Sequence, residues 1–140
     1  MPMSRLCASV AAFGLLAAFG CSSSEAAATN YTLAVEHPKN TKVGEAARAV
    51  VRVVPKNPWK VNLKYPIRLK LQPPAGVEVA KAELVAGDAQ VSEKEAKFEV
   101  GYTLKEAGSK TVNGELKFSV CVVDKCDIKK EAVSWTTSAR

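Results

Sequence analysis

Apolar and polar residues alternate along most of the chain after residue 30. The clearest example is Gly114–Trp135, where single, mostly polar residues separate Leu116, Phe118, Val120 and Val122. Successive side chains of a strand point to opposite faces, so a period of two indicates one buried face and one exposed face. The pattern therefore predicts a protein built from strands.

The alternating segments are short, and turn-forming residues separate them. Pro, Gly and Asn lie in stretches such as His37–Asn40 and Gln72–Gly76, where they favour turns. The predicted strands are Tyr31–Glu36, Ala46–Val54, Ile67–Leu71, Val77–Leu84, Lys97–Leu104, Lys110–Val122 (bulged at Asn113–Gly114) and Lys129–Thr137, with a short extended piece at Trp59–Asn62. Because no amphipathic helix of useful length is predicted, we expect an all-β fold: an immunoglobulin-like antiparallel β-sandwich of about seven or eight strands. It would form one domain over residues 31–137.

The N-terminal 20 residues contain a long apolar run. Arg5 is followed by Leu6–Gly20, which has the length of a signal-peptide core and is too short for a good transmembrane helix. We predict a lipoprotein-type signal peptide over residues 1–20. The stretch Ala18–Cys21 resembles a bacterial lipobox, so Cys21 is the predicted lipidation site. Ordinary cleavage after Ala26–Ala28 is the alternative, and it would leave Cys21 without a role.

Both kinds of cleavage predict export. Ser22 resembles an outer-membrane sorting preference, so we expect an outer-membrane lipoprotein on the periplasmic side of a bacterial envelope. A soluble periplasmic or secreted protein is the alternative. Residues 21–30 are small and mostly polar, and they are predicted to be a flexible tether. An exported chain meets an oxidising compartment, in which a disulfide is the default state of two neighbouring cysteines.

The charge of the chain narrows the choice of partners. Twenty Lys and Arg residues against 14 Asp and Glu residues give a net charge of +6. The lysines are spread singly along the alternating segments, as on solvated strand faces. Because no basic cluster marks a nucleic-acid site, we expect no nucleic-acid partner, and membrane contact only through the lipid anchor.

Most residue types that perform catalysis are scarce. His37 is the only histidine, and it lies in a predicted turn without a second histidine or a pair of carboxylates. Met1 and Met3, the only methionines, would leave with the signal peptide. A copper or zinc site therefore lacks ligands, and the phosphate-loop and nucleophile-elbow motifs are missing. We predict no metal and no cofactor.

Cys121 and Cys126 are the two cysteines expected in the folded domain. If Cys121 ends a strand and Cys126 lies in the turn beyond it, their Cα atoms come within the roughly 4.4–6.8 Å that a disulfide needs. Alternation places Cys121 on the face opposite the core, where a partner could reach it. Lys125 would favour a thiolate here, whereas Asp124 and Asp127 would oppose it. Two roles stay open: a hairpin-closing disulfide worth about 2 kcal/mol, or dithiol exchange with a partner.

Three motifs carry a resemblance to a known family. The stretch Pro58–Asn62, followed by Tyr65–Pro66, resembles a Trp/Tyr-His-x-Asn-and-Pro motif. The strand Ile67–Leu71 leading into Pro73–Val77 is similar to a strand and its P-x-G-V turn, and Gly114–Cys126 is similar to a final strand pair with two cysteines. The family is that of the N-terminal periplasmic domain of the thiol:disulfide interchange protein DsbD and the related disulfide bond corrector proteins.

The resemblance implies an immunoglobulin-like fold whose cysteine pair relays electrons from an inner-membrane reductase to periplasmic partners. Carried over by position, Cys126 would be the attacking thiol and Cys121 the resolving thiol. This chain departs from the family in having Lys60 in place of a common His, and Asp127–Ile128 where a proline is common. The family's aromatic cap loop would correspond to about residues 82–88, which contain no aromatic residue.

These observations lead to one leading hypothesis. We expect an exported, lipid-anchored domain that takes part in periplasmic thiol–disulfide exchange through Cys121 and Cys126, as one component of an oxidoreductase system. Its expected partners are thioredoxin-like proteins or membrane thiol–disulfide oxidoreductases. The alternative is a non-catalytic envelope-binding or structural module whose disulfide closes a hairpin. A third hypothesis is a chaperone-like sandwich that lends an edge strand to a partner.

Overall fold

Two β-sheets packed face to face make up residues 30–140, the part of the chain that the computed structural model describes. The strands are β1 (Tyr31–Glu36), β2 (Asn40–Thr41), β3 (Ala46–Pro55), β4 (Lys60–Val61), β5 (Arg68–Gln72), β6 (Val77–Val79), β7 (Glu83–Val85), β8 (Ala89–Val91), β9 (Ala96–Leu104), β10 (Gly108–Cys121) and β11 (Cys126–Ala139). A single 3-10 turn, Ala86–Asp88, joins β7 to β8. Within residues 30–140, no helix is long and apolar enough to cross a membrane. The predicted signal peptide, Cys21 and the tether up to residue 29 lie outside the described residues.

The strand order defines the sandwich. The first sheet has the order β1-β3-β9-β6, with β8 also paired to β9; the second has the order β2-β11-β10-β5-β7, with β4 also paired to β10. Neighbouring strands are antiparallel except for the parallel pair β2 and β11. The predicted immunoglobulin-like β-sandwich is therefore confirmed. The strands outnumber the about seven or eight predicted, because β2, β4, β6, β7 and β8 have only two or three residues, too few for a recognisable alternation.

The core lies between the two sheets and follows the alternation. In β10, Val112, Leu116, Phe118 and Val120 are buried, as the sequence pattern predicts. The ring of Tyr31 packs edge-on against Phe118, with 4.8 Å between ring centroids, so β1 of the first sheet contacts β10 of the second. Burying one large apolar side chain stabilises a fold by about 1.5–3 kcal/mol. This layer is therefore the main source of stability.

The bulge predicted at Asn113–Gly114 is wrong. Strand β10 pairs with β11 in one unbroken register from Gly108 opposite Ala139 to Cys121 opposite Cys126. Gly114 instead allows a close approach to β5, since a Cβ atom there would lie 2.7 Å from the backbone oxygen of Lys70. The glycine is explained by this crowding.

The strand predicted over Val77–Leu84 is also wrong as a single element. Val77–Val79 pairs with β9 in the first sheet, whereas Glu83–Val85 pairs with β5 in the second. The chain changes sheets between residues 80 and 82. The apolar and charged residues of this segment alternate on both sides of the crossing, so no break in the sequence pattern marks it.

Both ends of the described chain are packed into the sandwich. Asn30, the last residue of the predicted tether, is 4% exposed; its Nδ2 donates a hydrogen bond of 2.7 Å to Oδ2 of Asp127. The Asn30 carbonyl also accepts from the backbone N–H of Lys56 at 2.9 Å. At the other end, β11 continues to the buried Ala139, beyond the predicted limit at residue 137. The fold therefore includes a few residues more than the predicted domain.

Candidate functional site

The predicted disulfide between Cys121 and Cys126 is present. The two residues form the last cross-strand pair of β10 and β11, with 4.0 Å between their Cα atoms. Beyond them the chain turns through Val122–Lys125, and the backbone N–H of Val122 donates to the carbonyl of Lys125 at 2.9 Å. Cys121 therefore ends one strand, and Cys126 begins the next. The disulfide closes the tip of the longest hairpin in the described chain.

The two sulfurs differ in accessibility. Cys126 is exposed, whereas Cys121 is half-buried. Alternation predicts an open outer face for Cys121, and therefore also for Ser119, two positions before it on β10. In the structure Ser119 is only 2% exposed. Strand β4 pairs with Val120 and Cys121, and its flanking segment closes over this end of β10. Cys126 is therefore the sulfur-bearing residue that a protein partner reaches more easily.

The segment that encloses Cys121 is one of the motifs that carry the family resemblance. The backbone N–H of Asn62 donates to the carbonyl of Ser119 at 2.8 Å, and the Asn62 Nδ2 lies 3.9 Å from the Cys126 Sγ. The ring of Trp59 lies 5.3 Å from the Nζ of Lys125 in the hairpin turn. Two motifs that are distant in the sequence thus meet around the disulfide. No local sequence signal predicts this contact.

A cleft of about 440 Å³ lies beside the disulfide. Its lining is mostly apolar, with charged residues among the remainder: Pro58, Lys60, Val61, Asn62, Leu63, Lys64, Glu93, Cys121, Val122 and Val123. Leu63 is 56% exposed and Val123 is 107% exposed, which is unusual for large apolar side chains. Ile128, two residues after Cys126, is also exposed. Leu63 and Val123 both line the cleft, and exposed apolar residues that lie together in this way are typical of a surface that contacts another protein.

The charges around the disulfide have other partners. Lys60 forms an ion pair of 3.4 Å with Glu93. Lys125 lies over the ring of Trp59, and Asp127 accepts the hydrogen bond from Asn30. From the sequence, Lys125 is expected to favour a thiolate and Asp127 to oppose it. In the structure their charged groups contact these other side chains.

Two further expectations concern metal ions and a cap over the disulfide. Within the part of the chain that the structure describes, no group of three or more His, Cys, Asp or Glu side chains could hold a metal ion. The segment 82–88, compared above with a cap loop, contributes nothing to the lining of the cleft. Leu84 is buried in the core, and Val85 is exposed on β7. Cys121 is covered instead by β4 and the residues on either side of it.

Comparison with solved structures supports the fold. The chain is similar to a cohesin module from a family 33 glycoside hydrolase of Clostridium perfringens, with a TM-score of 0.54 and 13% identity over 80% of this chain and 98% of the module. A weaker match is E. coli alpha-2-macroglobulin, with a TM-score of 0.47 and 11% identity over 81% of this chain and 7% of that chain. Another is AggA, the major subunit of E. coli aggregative adherence fimbriae type I, with a TM-score of 0.40 and 8% identity over 79% of this chain and 96% of that chain.

The match to the cohesin module supports the sandwich architecture and shows nothing about activity, because the sequence identity is so low. No protein-family model matches the chain, and no curated protein matches it. None of the three structures belongs to the family that the sequence motifs resemble. That family resemblance stays a prediction.

Proposed function

We propose that Cys121 and Cys126 perform thiol–disulfide exchange with another protein. The observation that carries this proposal is the surface around the disulfide. Cys126 is exposed, and the neighbouring apolar cleft is lined by the exposed side chains of Leu63 and Val123. A partner that presents its own cysteine needs both an accessible sulfur and a surface on which to dock. Both features lie at one end of the sandwich.

The exchange can be written in full. A thiolate of a partner dithiol attacks the Sγ of Cys126, the bond between the two sulfurs breaks, and Cys121 leaves as a thiolate that takes up a proton. The partner's second thiolate then attacks the partner sulfur of the mixed disulfide and releases Cys126. Two electrons and two protons have passed from the partner dithiol, which becomes a disulfide, to Cys121 and Cys126. The reverse sequence reduces a partner disulfide, with Cys126 attacking and Cys121 resolving.

A purely structural role accounts less well for the bond. A disulfide that closes so short a loop contributes about 2 kcal/mol in the chain-entropy model. Besides the cysteine pair, thirteen cross-strand residue pairs already hold β10 and β11 together. Their register does not depend on a covalent link at the tip.

The proposal includes export and a class of partner. The apolar run Leu6–Gly20 and the lipobox-like Ala18–Cys21 support an exported, lipid-anchored protein on the periplasmic side of the envelope. Disulfides persist in that compartment. The partners would be thioredoxin-like proteins or membrane thiol–disulfide oxidoreductases, which carry the dithiol that the exchange requires.

The reduction potential of the pair tests this proposal. The protein is equilibrated in glutathione or dithiothreitol buffers, and the reduced fraction is read from alkylation at each cysteine by mass spectrometry. We expect a potential above about −300 mV and exchange with a thioredoxin-like protein. A potential far below that value, without exchange, would reject the proposal and assign the bond the structural role of the alternative hypothesis.

Capture of a mixed disulfide gives an independent check. A Cys121→Ser variant keeps the accessible Cys126 and lacks the resolving thiol. It is mixed with a thioredoxin-like protein whose one remaining active-site cysteine carries a thionitrobenzoate leaving group. The Cys126 thiolate should attack that sulfur and release thionitrobenzoate, so a covalent complex should accumulate. The matched Cys126→Ser variant keeps only the half-buried Cys121 and should accumulate much less. Equal accumulation by the two variants would contradict the assignment of Cys126 as the attacking thiol.

A further inference from the structure

The hydroxyl of Ser119 lies beside the sulfur of Cys121. The two residues are on the same face of β10, and the Oγ of Ser119 is 4.0 Å from the Sγ of Cys121. Within residues 30–140, this is the one side-chain hydrogen bond that the Ser119 hydroxyl makes. At 2% exposure the hydroxyl has little access to water, and burying a hydroxyl without a partner is costly. Because a disulfide sulfur carries no hydrogen, the Ser119 hydroxyl is the donor and the Cys121 Sγ is the acceptor.

The other sulfur has a donor from a different segment. The Nδ2 of Asn62 lies 3.9 Å from the Sγ of Cys126. The orientation of the amide is fixed by its other end, because the Asn62 Oδ1 accepts a hydrogen bond of 3.0 Å from the backbone N–H of Lys64. The backbone of Asn62 is held in turn by Ser119. With the oxygen occupied in this way, the NH2 group faces the sulfur.

We propose that Ser119 and Asn62 stabilise the two thiolates of the reduced pair separately, Ser119 at Cys121 and Asn62 at Cys126. This inference rests on the proposed thiol–disulfide exchange and assigns two further residues to it. Neither donor is charged, and the cations near the disulfide, Lys60 and Lys125, contact other groups. The donors therefore set the relative ease of ionisation of the two cysteines.

The two contacts are long for hydrogen bonds to a neutral disulfide sulfur. Hydrogen bonds to an ionised acceptor are shorter and stronger than those to a neutral one, so each donor has more to gain once its sulfur is a thiolate. A donor near a leaving sulfur also speeds the reaction, since a thiol that ionises more readily leaves faster. The donors therefore act on the reduced state and on the step that forms it.

The two donors act on sulfurs of different burial, and this favours one cysteine as the sulfur attacked and the other as the sulfur that leaves. Burial disfavours the charged form of Cys121, which would make it a poor leaving group in the absence of a donor. The buried Ser119 hydroxyl offsets that cost, and the accessible Cys126 receives the incoming thiolate. Ser119 thus supports attack at Cys126, with departure of Cys121.

A crossed pair of single-cysteine variants tests the assignment. Cys126→Ser leaves Cys121, and Cys121→Ser leaves Cys126; each is combined with Ser119→Ala or Asn62→Ala. The rate of alkylation by iodoacetamide is measured between pH 5 and 10 at the remaining cysteine by peptide mass spectrometry, so that other cysteines of the chain do not interfere. The pH at half-maximal rate reports the thiolate.

The expected result is a crossed pattern. Ser119→Ala should raise the half-maximal pH of Cys121 by about one pH unit and leave that of Cys126 unchanged. Asn62→Ala should raise that of Cys126 by a smaller amount and leave that of Cys121 unchanged. In the intact pair, Ser119→Ala should slow reduction by dithiothreitol about threefold, whereas Ser119→Thr keeps the hydroxyl and should slow it less. Equal shifts at both cysteines, or none, would overturn the assignment.

Two features keep the test decisive. If Ser119→Ala fails to fold, the Asn62→Ala arm still decides the matter, because Asn62 is only partly buried and the absence of a shift at Cys126 would reject the assignment. Small thiols and iodoacetamide report on the sulfurs whether or not a protein partner exists. A very low reduction potential would therefore reject the proposed exchange and leave this measurement interpretable.

Discussion

Lys125 and Trp59 hold the hairpin turn against the segment before β4. The Nζ of Lys125 lies 5.3 Å from the centroid of the Trp59 ring, in the geometry of a cation–π contact. The contact joins the turn that follows Cys121 to the segment that encloses it. The enclosure of Cys121 therefore depends on contacts between distant parts of the chain.

A double-mutant cycle on Trp59→Leu and Lys125→Gln should show that the two residues interact. We expect a coupling energy of about 0.5–1 kcal/mol in the free energy of unfolding, measured in urea. The control pairs Trp59→Leu with Lys39→Gln, an exposed lysine outside the site. Additive effects in the Trp59 and Lys125 cycle would show that the contact does not stabilise the fold.

Removing both cysteines should leave the sandwich folded. The Cys121→Ser/Cys126→Ser variant loses a cross-link that closes only a short loop, so the free energy of unfolding should fall by about 2 kcal/mol. Neither cysteine belongs to the buried core, and the other thirteen cross-strand pairs of β10 and β11 do not involve them. Urea unfolding and the near-ultraviolet circular dichroism of the aromatic core provide the measurement. Loss of folding would show that the disulfide is essential to the structure.

Thr137 should be sensitive to loss of its hydroxyl. The Oγ1 of Thr137 donates to the carbonyl of Pro38 at 3.0 Å and lies 2.7 Å from the buried hydroxyl of Tyr102. Thr137→Val keeps the shape and leaves the buried Tyr102 hydroxyl without its partner, which should cost about 1–3 kcal/mol. The neighbouring Thr136→Val removes an exposed hydroxyl bonded to Thr111 and should cost less than about 0.5 kcal/mol. Equal thermal unfolding midpoints for the two variants would contradict the importance of this buried network.

Gly114→Ala should destabilise the second sheet. The new methyl group would meet the backbone oxygen of Lys70 at 2.7 Å and Leu71 Cδ2 at 2.9 Å, so β5 and β10 would have to separate. Overpacking of this kind costs about 1–3 kcal/mol. Gly87→Ala is the matched control, since no atom lies within 4 Å of the added Cβ. A variant at position 114 as stable as the control would show that the sheet adjusts without penalty.

Asp88 should make stability depend on pH in the acid range. A hydrogen bond from Lys81 and another from the backbone N–H of Val85 lower the pKa of Asp88 below its ordinary value of 3.8. The stabilisation is therefore complete above pH 3.8 and is lost as the pH falls through the lowered pKa. In Lys81→Met the pKa should rise toward its ordinary value, as followed by the NMR chemical shift of the carboxyl carbon. An unchanged titration would contradict the assigned cause.

The alternation of the sequence predicted the sandwich because strand faces are a local property. Phe118 and Val120 are buried as expected, and the registers of the long strands follow. The crossing between Val79 and Glu83 escaped prediction because pairing partners, rather than local residues, decide to which sheet a short strand belongs. The bulge predicted at Gly114 was wrong for a similar reason, since the crowding that explains this glycine comes from β5, which is distant in the sequence.

At the site, the sequence predicted the cysteine pair but not its surroundings. Five positions separate Cys121 and Cys126, so their pairing follows from a single hairpin. The burial of Ser119 and the approach of Asn62 depend on a segment that lies far away in the sequence. The resemblance to a known family marked that segment without indicating that it covers Cys121.

Strand β11 runs away from the disulfide, whereas the N-terminal side of the described chain lies next to it. The strand begins at Cys126 and ends at Ala139, so its far end lies about 40 Å from the sulfurs. The N-terminal side enters the sandwich at Asn30, which bonds to the residue after Cys126. Cys21 precedes Asn30 by nine positions, a span of about 30 Å at full extension. A lipid on Cys21 would thus hold the disulfide in a shallow layer next to the membrane surface, whereas a protein attached beyond Ala139 would leave that layer unobstructed.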